Sequence, residues 1–236
     1  MSLEALIVST DKEVVSGFRR VLVANSINLS AVTSAKQASG VLESNKFDAI
    51  IVDCDDLPGG TALLETLRKS QSSKSAVIYA VLNNVTTMKK AYDLGSNFVL
   101  EKPLTADRIS RSVRAGRGLI LKERRRYFRY AVGADAYVTV GHSEKIKGRV
   151  VNLSEGGVAV ELDLKNAPKG PLSTKFLLPE SAVPIEGKCQ VQWANAGQLG
   201  LLFTQMTPES RQELTRWLTR KIESKAPTSR EPERPV

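Results

Sequence analysis

Histidine occurs once in the 236 residues, cysteine twice and tryptophan twice. The one histidine, His142 in a Gly-His-Ser turn, rules out a His-rich metal centre and leaves any Ser-His-Asp arrangement dependent on a single residue. Cys54 and Cys189 lie far apart in strand-like surroundings, with no CxxC neighbour and no cluster of histidines, so buried reduced thiols are expected. No stretch approaches the roughly 20 apolar residues that span a bilayer. The N-terminus places Glu4 before a short apolar stretch and has no basic segment, so a cytoplasmic protein without membrane insertion is expected. No carboxylate pair or nucleophile-base arrangement stands out, and an enzyme is not expected.

What the chain does contain is ordinary apolar content and an excess of positive charge. A hydrophobic fraction of 42% and a charged fraction of 25% suit soluble packed domains, and the length suggests two of them. The net charge is +9, which favours an anionic partner without saying which. Its placement says more: Lys122, Arg124, Arg125, Arg126 and Arg129 stand against Glu123 alone, at the point where helical patterning gives way to strand patterning.

Residues 1–121 alternate short apolar runs with amphipathic ones. "LEALIVS" reads as a strand, and "DKEVVSGFRRVLVAN" places Val14, Val15, Phe18, Val21 and Leu22 on one helix face behind a capping Asp11. Four more such pairs follow, the last ending in "TADRISRSVRAGRGLILKE". Five strands alternating with five helices predict a doubly wound, five-stranded parallel sheet, with its crevice outside the strand C-termini. Asp53 falls at one of those ends.

With Asp53 closing "FDAIIVD", the Pro58-Gly59 turn after it, and Lys102-Pro103 in "LGSNFVLEKP", this half resembles the receiver domain of bacterial response regulators. The resemblance implies that Asp53 would accept a phosphoryl group and Lys102 would contact the phosphate. Ser9 and Thr10 stand where the family carries the acidic pair that holds Mg²⁺, and Asp11, one residue later, reads as a helix cap. Ala80 and Val99 fall where the family has its switch hydroxyl and aromatic. A degenerate receiver serving as a dimerisation or docking module is therefore expected, without dependence on Mg²⁺. The alternative keeps Asp53 as a phospho-acceptor with Asp55 or Asp56 helping to hold the metal.

From Asp135 onward the texture is short alternating runs between turns, as in an antiparallel barrel. The candidate strands are "DAYVTV", "KGRVVNL", "GVAVEL", "TKFLLP", "IEGKCQVQWA" and "QLGLLFTQ". A helix follows in "TPESRQELTRWLTRKIES", with Thr207 as N-cap, Pro208 at the first position and Leu214, Trp217, Leu218 and Ile222 on one face. Residues 225–236, rich in Pro, Ser and charge, are expected to be disordered. The domain assignment is 1–121, then 122–224 with 122–134 as a basic connecting segment, then the tail.

Arg125 and Arg129 form an RxxxR pair before the barrel, and "NLSEGG" supplies Asn152, Ser154 and Gly157 as NxSxxG on a strand-to-strand turn. RxxxR spacing recurs at Arg216/Arg220 and Arg230/Arg234, where no strand follows, so the ordered combination carries the signal. That combination resembles the PilZ domain, the bacterial receptor module for cyclic di-GMP, over residues 122–222. The resemblance implies that Arg125 and Arg129 clamp the nucleotide, that Asn152 and Ser154 hydrogen-bond base or phosphate, and that Gly156 and Gly157 allow the turn and close approach. Arg124 and Arg126 would be auxiliaries. Guanidinium suits this ligand, since it donates bidentately to phosphate oxygens and to guanine O6/N7. Trp193 is expected in the barrel core, and Tyr127 and Phe128 are expected to anchor the connecting segment by burial.

The expected function is that of a cytoplasmic signalling protein that binds cyclic di-GMP and passes the signal on by domain rearrangement or by binding a partner the sequence does not name, with homodimerisation through the first half. Two alternatives use the same charge: nucleic-acid binding, for which no helix-turn-helix or RNA-binding signature exists, and a nucleotide-independent scaffold.

Overall fold

The computed structural model describes residues 3–141, 144–163, 168, 170–195 and 197–224. His142 and the tail 225–236 lie outside these. Two compact units emerge, the first running to Arg124 and the second covering Arg125–Lys221.

The first unit alternates β1 (Leu3–Val8), α1 (Lys12–Ala24), β2 (Ile27–Val32), α2 (Ala35–Ser44), β3 (Ala49–Asp53), α3 (Gly60–Lys69), β4 (Val77–Leu82), α4 (Met88–Asp93), β5 (Phe98–Glu101) and α5 (Ala106–Tyr127). The strands lie in the order β2-β1-β3-β4-β5, each pairing parallel to its neighbours. Helices cover both faces of such a sheet, so β3 and β4 are buried along their lengths and apolar apart from the terminal Asp53. Asp11 caps α1 as its position suggests: Oδ1 accepts from the backbone N–H of Glu13 at 2.9 Å and of Val14 at 3.3 Å. Its partner face of Val14, Phe18, Val21 and Leu22 is buried. The sheet's parallel sense brings Ser9, Asp53, Asn83 and Lys102, at or just after the C-terminal ends of β1, β3, β4 and β5, to one edge.

The second unit contains β6 (Tyr130–Ala131), β7 (Asp135–Val140), β8 (Glu144–Leu153), β9 (Gly157–Leu162), β10 (Leu172–Leu177), β11 (Pro184–Asn195), β12 (Gln198–Met206) and α6 (Pro208–Glu223). β7-β10-β11-β12-β9 pair in turn and β8 joins β9 back to β7, which closes a six-stranded antiparallel barrel. The short β6 adds to β8 beyond the end of β7. Inward residues such as Ala136, Val138, Val150, Val160, Phe176 and Ile185 are at most 3% exposed. α6 buries Leu214, Trp217 and Leu218, and the Trp217 indole N–H donates to the Pro179 carbonyl at 3.0 Å. No helix among the described residues is long and apolar enough to cross a membrane.

Candidate functional site

In the first unit, the edge formed by the strand ends is acidic, with one lysine at its centre. Lys102 Nζ lies 2.6 Å from Asp56 Oδ2, 2.9 Å from Asp11 Oδ2 and 3.1 Å from Asp53 Oδ2. Burial disfavours the ammonium, but the three carboxylates outweigh it and hold Lys102 protonated well above the ordinary lysine range. The bond to Lys102 draws Asp11 and Asp56 below the usual carboxylate range. Asp53 is fully buried; Oδ2 also accepts from the Ser9 hydroxyl at 2.7 Å, while Oδ1 is shut from solvent and has no hydrogen-bond partner. Asp55 points elsewhere. Its burial is offset by the backbone N–H groups of Asn83, Val85 and Thr86, which keep it ionised.

Asp11 therefore serves twice, with one oxygen on the helix and the other on Lys102. Ala80 does not occupy the end of β4: it sits inside that strand, buried in the core, and the residue that meets the acidic pocket is Asn83, whose side-chain amide donates to Asp56 at 3.0 Å. One oxygen from each of Asp11, Asp53 and Asp56 comes within 4.8 Å of the others. This oxygen set, with the orphaned Asp53 Oδ1, fits a hard divalent cation. An ion there must share the carboxylates with the Lys102 ammonium.

The second unit has a groove of about 370 Å³ on the barrel surface. Arg126, Arg129, Asn152, Ser154, Gly157 and Trp193 are among the residues that line it, with β9 and β12 lying between the Asn152 strand and the Trp193 strand. The segment expected to connect from residue 122 is helical as far as Tyr127, so consecutive arginines on the last turn of α5 point about 100° apart. Arg126 is exposed and rests over the Tyr127 ring at 5.3 Å from its centroid. Arg129, exposed beyond the helix end, donates to the Arg126 carbonyl at 3.3 Å.

Arg125 does not line the groove. Its guanidinium is largely buried, with Nη1 donating to Thr219 Oγ1 at 3.3 Å and Nε 3.6 Å from Glu155 Oε1. Arg124 is committed within the first unit, donating to both oxygens of Asp48 at 2.8 and 2.9 Å.

The turn that carries Asn152 and Ser154 is held from within. Ser154 is fully buried, its N–H and its hydroxyl both donating to the Gly157 carbonyl. Gly157 is required by strand packing, because a Cβ there would lie 2.4 Å from the Leu201 carbonyl oxygen across β9 and β12. Asn152 follows a bulge in the β8–β9 pairing and is half-buried at the groove wall.

Two aromatic expectations are corrected. Trp193 is 47% exposed and lies in the groove, not in the core. The register shifts between Val191 and Trp193, so the extra residue turns the indole outward. There it lies on Gly200, where a Cβ would be 2.0 Å from Nε1. Tyr127 is 48% exposed and does not anchor anything by burial; Phe128 does, packed at 4.7 Å on the buried Tyr130, which in turn meets Trp217 edge-on. Glu155 and Gly200 carried no signal readable from composition or spacing.

Comparison with known proteins follows the same division. Residues 5–114 match the response regulator receiver domain and residues 123–220 match the PilZ domain. A DNA-binding transcriptional activator, EvgA, of Escherichia coli K12 and of Shigella flexneri is 30% identical over 118 residues, which is 49% of this chain and 57% of that protein. The chain thus matches little more than half the length of these curated relatives. Among solved structures, the receiver domain of the Francisella response regulator 1452 is 22% identical with a TM-score of 0.43, covering 51% of this chain and 98% of that one. A CheY-like receiver domain from Methanospirillum hungatei is 18% identical with a TM-score of 0.46, covering 52% and 99%.

Proposed function

Because the chain carries a receiver domain followed by a PilZ domain, we propose that it is a signalling protein that binds cyclic di-GMP in the barrel groove. One observation carries this reading: Arg126, Arg129 and Asn152 line one groove together with an exposed indole, while the buried Ser154 fixes the turn that carries the groove wall. Arginine offers paired donors to phosphate oxygens and to the guanine edge, and a flat aromatic surface offers stacking. In the bound state Arg125 joins Arg129 on the ligand, which reorders residues 122–134 and shifts the placement of the domains. Small-angle scattering that is unchanged at saturating nucleotide would overturn that last step.

The receiver domain works in this reading as a docking or dimerisation module. Lys102 supplies the positive charge among the carboxylates, and Asp53 presents no oxygen to solvent. Were Mg²⁺ bound, Asp11, Asp53 and Asp56 would hold it, and it would offset the charge of a phosphoryl group on Asp53. Acetyl phosphate with Mg²⁺ is expected to leave the mass of the protein unchanged. A gain of one phosphate, absent in Asp53→Asn, refutes the docking-module reading.

Calorimetric titration of the full chain with cyclic di-GMP tests the main claim. Wild type is expected to bind, and Arg129→Ala and Asn152→Ala to bind at least tenfold more weakly. Binding of DNA with a steep salt dependence, and none of the nucleotide, would favour the nucleic-acid alternative.

A further inference from the structure

Resting on that reading, we propose that Glu155 sets the affinity of the groove by holding Arg125 out of it. Glu155 is a variable position of the NxSxxG turn, between the buried Ser154 and the two glycines. It grips the end of α5 at two points. Its backbone N–H donates to the Arg125 carbonyl at 2.9 Å, and its carboxylate faces Arg125 Nε at 3.6 Å. A third contact comes from α6: Thr219 Oγ1 accepts from Arg125 Nη1 at 3.3 Å and donates its own proton to the Thr215 carbonyl at 2.8 Å.

The hold is incomplete, and this makes it a latch that a ligand can open. Arg125 is 14% exposed at its side chain, yet its buried Nε has no hydrogen-bond partner, since 3.6 Å is an ion-pair distance beyond hydrogen-bond length. A buried, unsatisfied N–H is costly, and a phosphate or guanine edge that accepts from two guanidinium nitrogens removes that cost. The charge of Glu155 opposes the transfer. The apparent dissociation constant is then the intrinsic one divided by the fraction of molecules in which Arg125 is released. Thr219 ties the same arginine to α6, so capture of Arg125 by ligand also frees a contact of the terminal helix.

The test is calorimetric titration of cyclic di-GMP into the full chain as wild type, Glu155→Gln, Arg125→Ala and the double variant. Glu155→Gln is expected to bind about fivefold more tightly than wild type, the roughly 1 kcal/mol of a partly exposed pair converted at 1.4 kcal/mol per tenfold. Placed on Arg125→Ala, the same substitution is expected to change nothing, because the group it restrains is gone. Thr219→Val tightens binding in the same direction by a smaller factor. Thermal melting of each variant checks folding, and Glu155→Ala supplies a second probe if Gln retains an acceptor for Arg125. If wild type binds and neither Glu155 variant binds more tightly, the latch is overturned while the groove stands. If Glu155→Gln tightens binding equally in the Arg125→Ala background, Glu155 acts on the ligand directly and the latch is again overturned. If wild type does not bind at all, the functional reading fails and the latch with it.

Discussion

Replacing Lys102 with methionine isolates what a single ammonium does among three carboxylates. Asp11 and Asp56 expose 34% and 35% of their side chains, so water rehydrates them and each pair is worth at most about 1 kcal/mol. Asp53 is different. Its side chain is 1% exposed, one oxygen has no partner, and without Lys102 only the Ser9 hydroxyl at 2.7 Å faces the other. Removing one member of a buried pair typically costs about 3–5 kcal/mol, and with the Ser9 hydroxyl still donating to Asp53 we expect the lower end, about 3 kcal/mol. Asp53→Asn in the same chain should recover most of it, since a neutral amide needs no cation and still accepts from Ser9. Millimolar Mg²⁺ should stabilise the methionine variant more than wild type, because the oxygens that converge within 4.8 Å have lost their resident charge. The assay is urea unfolding followed by two signals. Both tryptophans, Trp193 and Trp217, belong to the second unit, so fluorescence reports the barrel and far-ultraviolet circular dichroism reports both units. A transition that moves in dichroism and not in fluorescence belongs to the receiver. A loss under about 1 kcal/mol, or an equal response to Mg²⁺ in wild type, would refute the reasoning.

Gly116→Ala should destabilise the first unit by about 1–3 kcal/mol in the same assay, because its Cβ would fall 1.9 Å from the hydroxyl of Tyr79, whose ring is pinned by stacking on Phe98. Cys54 and Cys189 are buried and their thiols are pushed up to about 12 by desolvation, so a disulfide reagent at pH 8 should titrate no thiol in the native protein and two after unfolding. Acid should loosen the receiver before the barrel. The Asp11 and Asp56 carboxyls are drawn below their unfolded values, so their contribution is complete above about pH 4 and is lost as pH falls through the lowered folded values. Parallel melting of both signals across pH 2–5 would count against this.

Much of the fold is legible in the sequence because its periods are clean. All six barrel strands show in alternating runs; the two-residue β6 is too short to show a period at all. Among the parallel strands β3 and β4 show as near-continuous apolar runs, and the cap of α1 shows in Asp11. The site is less legible, for reasons that lie in single residues. Period-two reading carries Ile185, Gly187, Cys189 and Val191 inward and would carry Trp193 inward too, until one unpaired residue reverses the sequence of faces. A carboxylate has two oxygens, and spacing alone cannot reveal that those of Asp11 serve different partners, one of them 91 residues away.

The arginine run shows how a motif can be correct in composition and still mislead about the state of its members. RxxxR suggests two arginines on one helical face, four residues apart. Here the helix stops at Tyr127, between them, so Arg125 keeps a helical direction and Arg129 does not. One turn of α5 thus gives three neighbouring arginines three commitments: Arg124 to Asp48, Arg125 to Thr219 and Glu155, and Arg126 to the groove. On the proposed reading this separates binding into two steps. Among the described residues Arg126 and Arg129 pair with no carboxylate, so they meet an anionic ligand first, whereas Arg125 can follow only by leaving Glu155. The first step should therefore set the rate of association and its salt dependence, and the second the rate of release.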